Sequence, residues 1–448
     1  MRHFRFNATR LLLTGIAMIA TLWTSIPAAA QDYSTAAEME LMKGFPPSPD
    51  QRVDRSALLK APQNRWAYQN MRMLYPSANI PHADVAIPIG KSIDGAIERL
   101  EIQKPGGGMV DVETWLKETY TDAVVVIHGD RIVFERFLNG MHSHQPHQMM
   151  SVTKSFGGLF GLMAVADGLV SEDDSVASIV PELPESGAFG DATFGQVLDM
   201  TNSMDFSEDY ADPESGIVHY GIVLGLMDPV EGRTYAANMY EYLPTLGKDP
   251  AHAHGEVFHY QTPKTDVVNW VTNRVTSRSF QDGLYEKLWS KLGTDGETYV
   301  LLDKNATLFA GGGLNATPYD LARFAMMMLN DGKAPTGSQV VPPAVIQLLS
   351  DGADRSAFQN GPNGAEGAKG ADGLMAGGDW SYRAQWWVRH TPGKEAFTAL
   401  GINGQWIYID SDRNVAIIKQ SSQPVSADDW FDEYNLNTWD TIIGHLTR

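Results

Sequence analysis

The chain has 448 residues, of which 43% are hydrophobic and 20% are charged, and these proportions are those of an ordinary globular protein rather than a disordered one. There are no cysteines, which excludes disulfides, thiolate metal sites and a cysteine nucleophile. The formal net charge of -20, with no basic stripe to offset it, repels phosphate backbones and argues against nucleic acid as a partner.

Residues 1–30 are predicted to be a signal peptide. Three arginines and no acidic residue open the segment, Leu11–Ile26 is an apolar stretch, and Ala28–Ala30 supply the small residues that a signal peptidase needs. A membrane anchor is the alternative, but the apolar stretch is short for a span and Pro27 ends it. We therefore expect a periplasmic or secreted protein with a cleaved signal and no stable membrane anchor.

The first part of the mature chain is predicted to be an extension followed by a hairpin. Residues 31–85 are polar, rich in proline and weakly periodic, and a short helix is predicted over Asp111–Tyr120. Ala123–His128 is a β-branched run, Gly129–Asp130 is a turn, and Arg131–Phe137 alternates polar and apolar residues. This pattern predicts a β-hairpin.

The middle of the chain is predicted to be mainly helical, and the last part is predicted to form strands. A helix is predicted from Ser151 to about Gly168, and Thr317-Pro318 provide the cap and first residue of another. The final part predicts four strands and a closing helix, over Ala384–His390, Thr398–Ile402, Gln405–Asp410, Val415–Gln420 and Thr438–Leu446.

Strands at both ends of the chain and helices between them predict an α+β fold. The simplest arrangement is an antiparallel β-sheet flanked by helices, with an inserted mainly helical domain. We assign residues 86–150 and 318–448 to the sheet domain and residues 151–317 to the helical domain.

The sequence Ser151-Val152-Thr153-Lys154 places a hydroxyl and an amine one helical turn apart. A serine needs a neighbouring base to become a nucleophile, and a lysine can be that base where burial lowers its pKa. About one Ser-x-x-Lys is expected by chance in a chain of this length, so an ordinary helix start with a solvated lysine is the alternative. Its place after a hairpin and at the start of a glycine-rich apolar helix favours the catalytic interpretation.

Three longer segments are more specific than this tetrapeptide. Glu172–Val176 resembles the exit from a catalytic helix, Thr193–Met204 resembles the pattern T-[IV]-x-x-L-L-x-M-T-S-G, and Gly311–Phe324 resembles G-G-L-x-S-T-A-x-D-L-A-R-F. On these segments the chain resembles the serine β-lactamase/penicillin-binding-protein superfamily over most of residues 120–445. Within it, the chain is similar to class C β-lactamase-like esterases and 6-aminohexanoate-dimer hydrolases.

The resemblance implies a second motif at Tyr260-Gln261-Thr262. Tyr260 would relay a proton between Ser151, Lys154 and the leaving group, because a nearby ammonium can lower the pKa of a tyrosine hydroxyl. Thr262 stands where the superfamily has Asn or Ser, and it would contact the substrate. For a lone tyrosine, a half-buried core position is the alternative.

The third motif, Lys-Thr-Gly in the superfamily, is matched by Ala399-Leu400-Gly401. Gly401 would then border the substrate, and the N–H groups of Ser151 and Ile402 would form the oxyanion hole. The leading basic residue, which in the superfamily holds the carboxylate of a penicillin, is absent. The resemblance therefore implies an amidase or esterase rather than an efficient β-lactamase.

Two aromatic residues are further candidates for substrate contact. Trp386 and Trp387 are adjacent and would face opposite sides of a strand, so one of them can line a cleft, and we select Trp386. Tyr220 lies in the helical part and could cap the substrate, with core packing as the alternative for both.

No cofactor or metal is expected. The histidines lack a carboxylate at ligand-like spacing, and no His-Glu-x-x-His, Gly-x-Ser-x-Gly or P-loop sequence is present. We expect an exported serine hydrolase that cleaves a small amide or ester through an acyl-enzyme. A D-Ala-D-Ala carboxypeptidase or weak β-lactamase is the first alternative, and a non-catalytic ligand sensor on the same fold is the second.

Overall fold

The structure is a computed structural model that describes residues 33–362, 374–375 and 378–448. The predicted signal peptide lies outside these described residues. The strands are β1 Ser77–Ile80, β2 Gly90–Lys91, β3 Glu101–Gln103, β4 Met109–Asp111, β5 Thr121–His128, β6 Arg131–Phe137, β7 His147–Gln148, β8 Thr298–Leu301, β9 Leu314–Ala316, β10 Trp380–Arg383, β11 Trp386–Arg389, β12 Ala396–Gly401, β13 Gln405–Asp410 and β14 Val415–Ser421.

The largest sheet in the described part of the chain has the strand order β10-β11-β12-β13-β14-β5-β6-β2. It is antiparallel except at its edge, where β2 runs parallel to β6. The predicted hairpin forms its β5–β6 pair, and β14 pairs with β5, so the two ends of the chain meet at this junction. β5 is buried along almost its whole length, which accounts for its run of β-branched residues.

A second sheet, of order β1-β8-β9-β7, brings two distant segments together. β7 ends just before Ser151, and β9 follows Gly311–Gly313 directly. The two strands are antiparallel partners, with His147 opposite Ala316. This pairing places the glycine segment beside the start of the Ser151 helix.

The helices pack on both faces of the large sheet and fill the middle of the chain. Short 3-10 turns cover Arg55–Leu58, Met71–Met73, Ile97–Arg99 and Leu243–Thr245, and a π-helical turn covers Gly283–Trp289. The α-helices are α1 Asn64–Ala67, α2 Val112–Glu118, α3 Val152–Ala166, α4 Val176–Ile179, α5 Phe194–Leu198, α6 Gly216–Leu224, α7 Met239–Tyr242, α8 Pro263–Thr276, α9 Phe280–Asp282, α10 Ser290–Leu292, α11 Pro318–Leu329, α12 Pro343–Asp351, α13 Arg355–Asn360 and α14 Asp429–Leu446.

Helix α3 is buried from Val152 to Ala164 and lies at the centre of the molecule. One of its glycines is required by this packing. A Cβ atom at Gly158 would lie 1.9 Å from the carbonyl oxygen of Ala384, in the turn that joins β10 to β11. Glycine at this position therefore lets the backbone of helix α3 pack directly against the backbone of the large sheet.

The N-terminal segment, residues 33–80, is attached to the sheets by a buried ion pair. Arg65 lies 3.2 Å from the carboxylate of Asp122 on β5, and His147 lies 3.1 Å from its other oxygen. Burial raises the pKa of Asp122, but the charge of Arg65 and hydrogen bonds from His147 and Ser422 outweigh burial and hold it below its ordinary value.

None of the helices in the described ranges combines the length and the apolar character that a membrane span requires.

Candidate active site

Ser151 caps helix α3 at the end of a tight turn. The preceding residue, Met150, has a left-handed backbone with φ of 48°, which is unusual for a residue other than glycine. Thr153 stabilises this turn, because its hydroxyl donates to the carbonyl of Met150 at 2.6 Å and accepts the N–H of Leu314 at 3.0 Å. The Ser151 side chain is only 7% exposed but borders two cavities.

Lys154 lies directly beneath this serine. Its Nζ atom is 2.9 Å from Ser151 Oγ and 2.5 Å from the carbonyl oxygen of Gly311. Burial lowers the pKa of Lys154 to about 8, although the charges of Glu208 and Asp266 favour its ammonium form. Lys154 is therefore buried, and the alternative interpretation, in which it is a solvated lysine at an ordinary helix start, is wrong.

Asp266, on helix α8, holds the segment that contacts Lys154. Its Oδ1 atom accepts the N–H groups of Ala310 at 3.1 Å and Gly311 at 3.2 Å, and its Oδ2 atom accepts the hydroxyl of Tyr220 at 2.8 Å. Burial raises the pKa of Asp266 to about 7, against the hydrogen bond from Tyr220 and the charge of Lys154. A chain of polar contacts thus runs from Tyr220 through Asp266 and Gly311 to Lys154.

Tyr260 is half-buried beside the Ser–Lys pair. The centroid of its ring lies 5.2 Å from Lys154 Nζ. The same ring stacks on Trp387, with the centroids 5.5 Å apart and an interplanar angle of 25°. The structure thus brings Tyr260 beside Lys154, and the proton relay that the resemblance implies for its hydroxyl stays a prediction.

Two buried side chains fix the turn that carries Tyr260. Gln261 Nε2 donates to the carbonyls of Met204 at 3.0 Å and Phe206 at 2.7 Å. Lys264 donates to the carbonyls of His259 at 2.9 Å and Met200 at 3.0 Å, and burial lowers the pKa of Lys264 well below its ordinary value. These bonds tie the turn before α8 to the irregular segment after α5.

Thr262 lines one of the cavities, but its polar atoms are committed to Glu208. Its N–H donates to Glu208 Oε2 at 3.0 Å, and its hydroxyl donates to Oε1. Tyr210 also donates to Oε1, at 2.9 Å. Burial raises the pKa of Glu208, and the charge of Lys154 opposes this. Sequence reasoning missed Glu208 and Tyr210, because they lie in an irregular segment without a motif.

Gly401 ends strand β12 against the turn before Ser151. A Cβ atom there would lie 2.5 Å from the carbonyl oxygen of Met149 and 3.1 Å from the Cβ of Met150, so no side chain fits without a shift. Ile402 follows and borders both cavities together with Ser151. The first N–H groups of a helix have no partner within it, so this geometry is compatible with the predicted oxyanion pair.

Two cavities meet at Ser151, and both are also bordered by Tyr210 and Ile402. The first, of about 60 Å³, has mainly aliphatic walls and reaches Lys154. The second, of about 310 Å³, has aromatic and polar walls. Its lining includes His259, Tyr260, Trp387, Gly401, Trp406 and Asp432.

The predicted substrate contacts of Trp386 and Tyr220 need correction. Trp386 is fully buried, and its indole nitrogen donates to the carbonyl of Ser155 at 2.9 Å inside the core. The adjacent Trp387 faces the second cavity instead. Tyr220 is also fully buried and borders neither cavity, so its contact with the site passes through Asp266.

The arrangement can perform nucleophilic acyl transfer. It combines a hydroxyl, a buried amine of lowered pKa, an aromatic ring with a phenol group beside that amine, and two cavities that meet at the hydroxyl. Within residues 33–362, 374–375 and 378–448, no three histidine or carboxylate side chains are grouped so that they could hold a metal ion.

Comparison with known sequences gives a consistent result. The family described as Beta-lactamase matches residues 112–436. The chain is also 33% identical, over 365 residues, to the 6-aminohexanoate-dimer hydrolase of Paenarthrobacter ureafaciens, and the match covers 82% of this chain and 87% of that protein.

Solved structures share the fold. A protein of Bacillus anthracis, described as a proposed 6-aminohexanoate-dimer hydrolase, superposes with a TM-score of 0.77 at 25% identity, covering 89% of this chain and 98% of that one. A penicillin-binding protein homologue from Caulobacter crescentus gives a TM-score of 0.53 at 16% identity, covering 74% and 96%. The fold class expected from the sequence is confirmed.

Proposed function

The chain belongs to the beta-lactamase family and is a serine hydrolase, and we propose that it is exported and cleaves small amides or esters through an acyl-enzyme. One observation supports the mechanism above the others. Lys154, buried and with a pKa of about 8, lies 2.9 Å from Ser151 Oγ. An amine of this kind is a suitable base for a serine at neutral pH.

In the proposed acylation step, Lys154 takes the proton of Ser151 while Oγ bonds to the substrate carbonyl carbon. The carbonyl electron pair moves onto oxygen, and the N–H groups of Ser151 and Ile402 stabilise the resulting charge. When the carbonyl re-forms, the bond to the leaving nitrogen or oxygen breaks and Tyr260 donates a proton to it. Tyr260 then recovers a proton from Lys154. Water releases the acyl group as a carboxylic acid and restores the Ser151 hydroxyl.

The substrate preference rests on the third motif and on the curated relative. The position that is basic in β-lactam-recognising members is Ala399 here, and Ala399 is fully buried. Without that cation, nothing at this position would hold the carboxylate of a penicillin. The relative that is 33% identical is named a 6-aminohexanoate-dimer hydrolase, and two amino acids joined as a dimer are linked by an amide. An amide or ester substrate is therefore favoured over a β-lactam.

Export rests on residues 1–30 alone, whose arginines, apolar stretch and three alanines form a signal-peptide pattern. The test is the N-terminal sequence of the protein recovered after expression in a bacterium that secretes. Recovery in the periplasm or medium with a new N-terminus near Gln31 is expected, and recovery of uncleaved protein in the cytoplasm would contradict export.

The activity test compares three substrates with one matched variant. A p-nitrophenyl ester, a linear 6-aminohexanoate amide and nitrocefin are incubated with the purified chain and with Ser151→Ala. Turnover of the ester or amide, lost in Ser151→Ala, together with a fluorophosphonate adduct on Ser151, is expected. Nitrocefin turnover well above that of the ester would favour the β-lactamase alternative. No turnover and no adduct would favour the ligand sensor.

A further inference from the structure

The first cavity has a distinct chemical character, and we call it the aliphatic cavity. Many of its apolar walls come from the N-terminal segment, from helix α6 with the residues after it, and from β8 with the segment that follows. The contributing side chains include Leu58, Leu59, Ile217, Leu224, Met227 and Phe309. The cavity ends at Ser151 and Lys154, so whatever occupies it also reaches the reactive hydroxyl.

We propose that the aliphatic cavity binds the acyl half of the substrate, and that this half is a short, uncharged aliphatic chain. The proposal rests on the proposed function, because it requires Ser151 to be the nucleophile. Beyond that function, the proposal assigns one side of the scissile bond to each cavity and states which acyl groups the site accepts.

The orientation follows from the position of Tyr260. Tyr260 borders the second cavity and not the aliphatic cavity, whereas Ser151 borders both. The residue that donates a proton to the leaving group must contact that group. The leaving group therefore occupies the second cavity, and the acyl group lies on the other side of Ser151.

The length of the acyl chain follows from the volume. The aliphatic cavity measures about 60 Å³. The second cavity, at about 310 Å³, is several times larger. The aliphatic cavity therefore suits a short acyl chain better than a long one.

The preference for an uncharged chain follows from the lining. Among the described residues that border the aliphatic cavity, Lys154 is the one basic residue, and none is an aspartate or a glutamate. Two carboxylates lie behind the wall of the cavity, and both have other partners. Glu208 borders the second cavity and accepts three hydrogen bonds from Thr262 and Tyr210. Asp266 accepts the N–H groups of Ala310 and Gly311 and the hydroxyl of Tyr220. An ammonium group at the end of the acyl chain would be desolvated without a partner, which is costly. A 6-aminohexanoyl group is therefore accepted poorly in this cavity.

The first experiment measures kcat/KM for p-nitrophenyl acetate, butanoate, hexanoate, decanoate and 6-aminohexanoate. We expect an increase of about fourfold per methylene among the short esters, a decrease by decanoate, and a 6-aminohexanoate value at least about tenfold below that of hexanoate. Equal values along the series, or a 6-aminohexanoate value above that of hexanoate, would overturn the proposal.

The second experiment changes one wall of the cavity. Leu59 is half-buried and lies outside the catalytic residues. Leu59→Trp should lower kcat/KM for hexanoate at least about tenfold more than for acetate, whereas Leu59→Ala should move the optimum to longer chains. Met73→Trp, an exposed position in the same N-terminal segment, is the matched control and should leave the series unchanged.

The two proposals fail in different ways. If neither the ester nor the amide is hydrolysed and Ser151 forms no fluorophosphonate adduct, the proposed function is wrong. If esters are hydrolysed through Ser151 but the chain-length series is flat and Leu59→Trp behaves like Met73→Trp, only the assignment of the aliphatic cavity is wrong.

Discussion

Asp266 binds the backbone N–H of Gly311 at 3.2 Å, and the carbonyl of the same glycine accepts the ammonium of Lys154 at 2.5 Å. The carboxylate therefore acts on the base in two ways, through the position of Gly311 and through its charge. Neither effect depends on contact with the substrate. Asp266 is a positioning residue for Lys154.

The first prediction concerns Asp266→Asn. Burial lowers the pKa of Lys154, and the negative charge of Asp266 raises it. Without that charge the pKa of Lys154 should fall further, so the rise of kcat/KM with pH should occur about one pH unit lower. Glu208 also faces Lys154 and is unchanged in the variant. The measurement is the pH profile of ester hydrolysis.

Asp320→Asn is the matched control for this variant. Asp320 is also a buried carboxylate that accepts two loop N–H groups, those of Asp295 and Gly296, but it is paired with Arg323 instead of facing Lys154. Loss of this carboxylate should lower the free energy of unfolding without changing the pH at which kcat/KM rises. Equal shifts in both variants would show that the effect is general destabilisation.

The second prediction is the pH profile of the unmodified protein. Lys154 must be neutral to accept a proton, and its pKa is about 8. Below that value kcat/KM should rise about tenfold per pH unit and level off above it. In Lys154→Ala, kcat/KM should be much lower, and its rise with pH up to about 8 should disappear. A plateau that extends down to pH 6 would contradict Lys154 as the base.

The third prediction separates proton donation from packing at Tyr260. Tyr260→Phe removes the hydroxyl and keeps the ring that stacks on Trp387. Hydrolysis of an alkyl amide, whose leaving group needs a proton, should fall by a factor of about 10²–10⁴. A p-nitrophenyl ester should lose much less, because p-nitrophenolate leaves without one. Equal losses for both substrates would argue for a structural role.

The fourth prediction distinguishes the adjacent tryptophans. Trp386→Phe removes a buried bond to the Ser155 carbonyl and leaves a void, so it should lower the free energy of unfolding by about 1–3 kcal/mol with little change in KM. Trp387→Phe alters the wall of the second cavity and should change KM for bulky leaving groups. Chemical denaturation and steady-state kinetics on both variants test this pair, and the reverse pattern would contradict it.

The fifth prediction concerns acid stability. The folded pKa of Asp122 lies below its ordinary value, so the carboxylate stabilises the fold above the unfolded pKa of about 3.9 and this contribution is lost as pH falls through the folded pKa. Asp122→Asn leaves Arg65 buried without its anion and should cost about 3–5 kcal/mol at pH 7. The free energy of unfolding of the variant should also depend less on pH below about 4.

Much of the fold could be predicted from the sequence, because its signals are local. The β-branched run and turn at residues 123–137 specified the β5–β6 hairpin, and Thr317-Pro318 specified the start of α11. β7 and β9 were not predicted, because strands of two and three residues contain no measurable alternation. Their pairing depends on residues that are far apart in the chain.

The site could be predicted where residue type and spacing are both constrained. Ser151 and Lys154 share a helical turn, and Gly401 is required by the approach of the Met149 carbonyl. Glu208 and Asp266 were missed, because buried carboxylates reach Lys154 only through the tertiary fold. Alternation along β11 indicated that its two tryptophans face opposite sides, but not which side is the core.

The N-terminal segment supplies Leu58 and Leu59 to the aliphatic cavity, while Ser151, Lys154 and Tyr260 come from parts of the chain that lie well beyond it. Substitutions at Leu58 and Leu59 can therefore change which acyl groups fit beside Ser151 while the residues proposed for the reaction stay the same. The remaining walls, on helix α6 and after β8, keep part of that selectivity in the body of the chain.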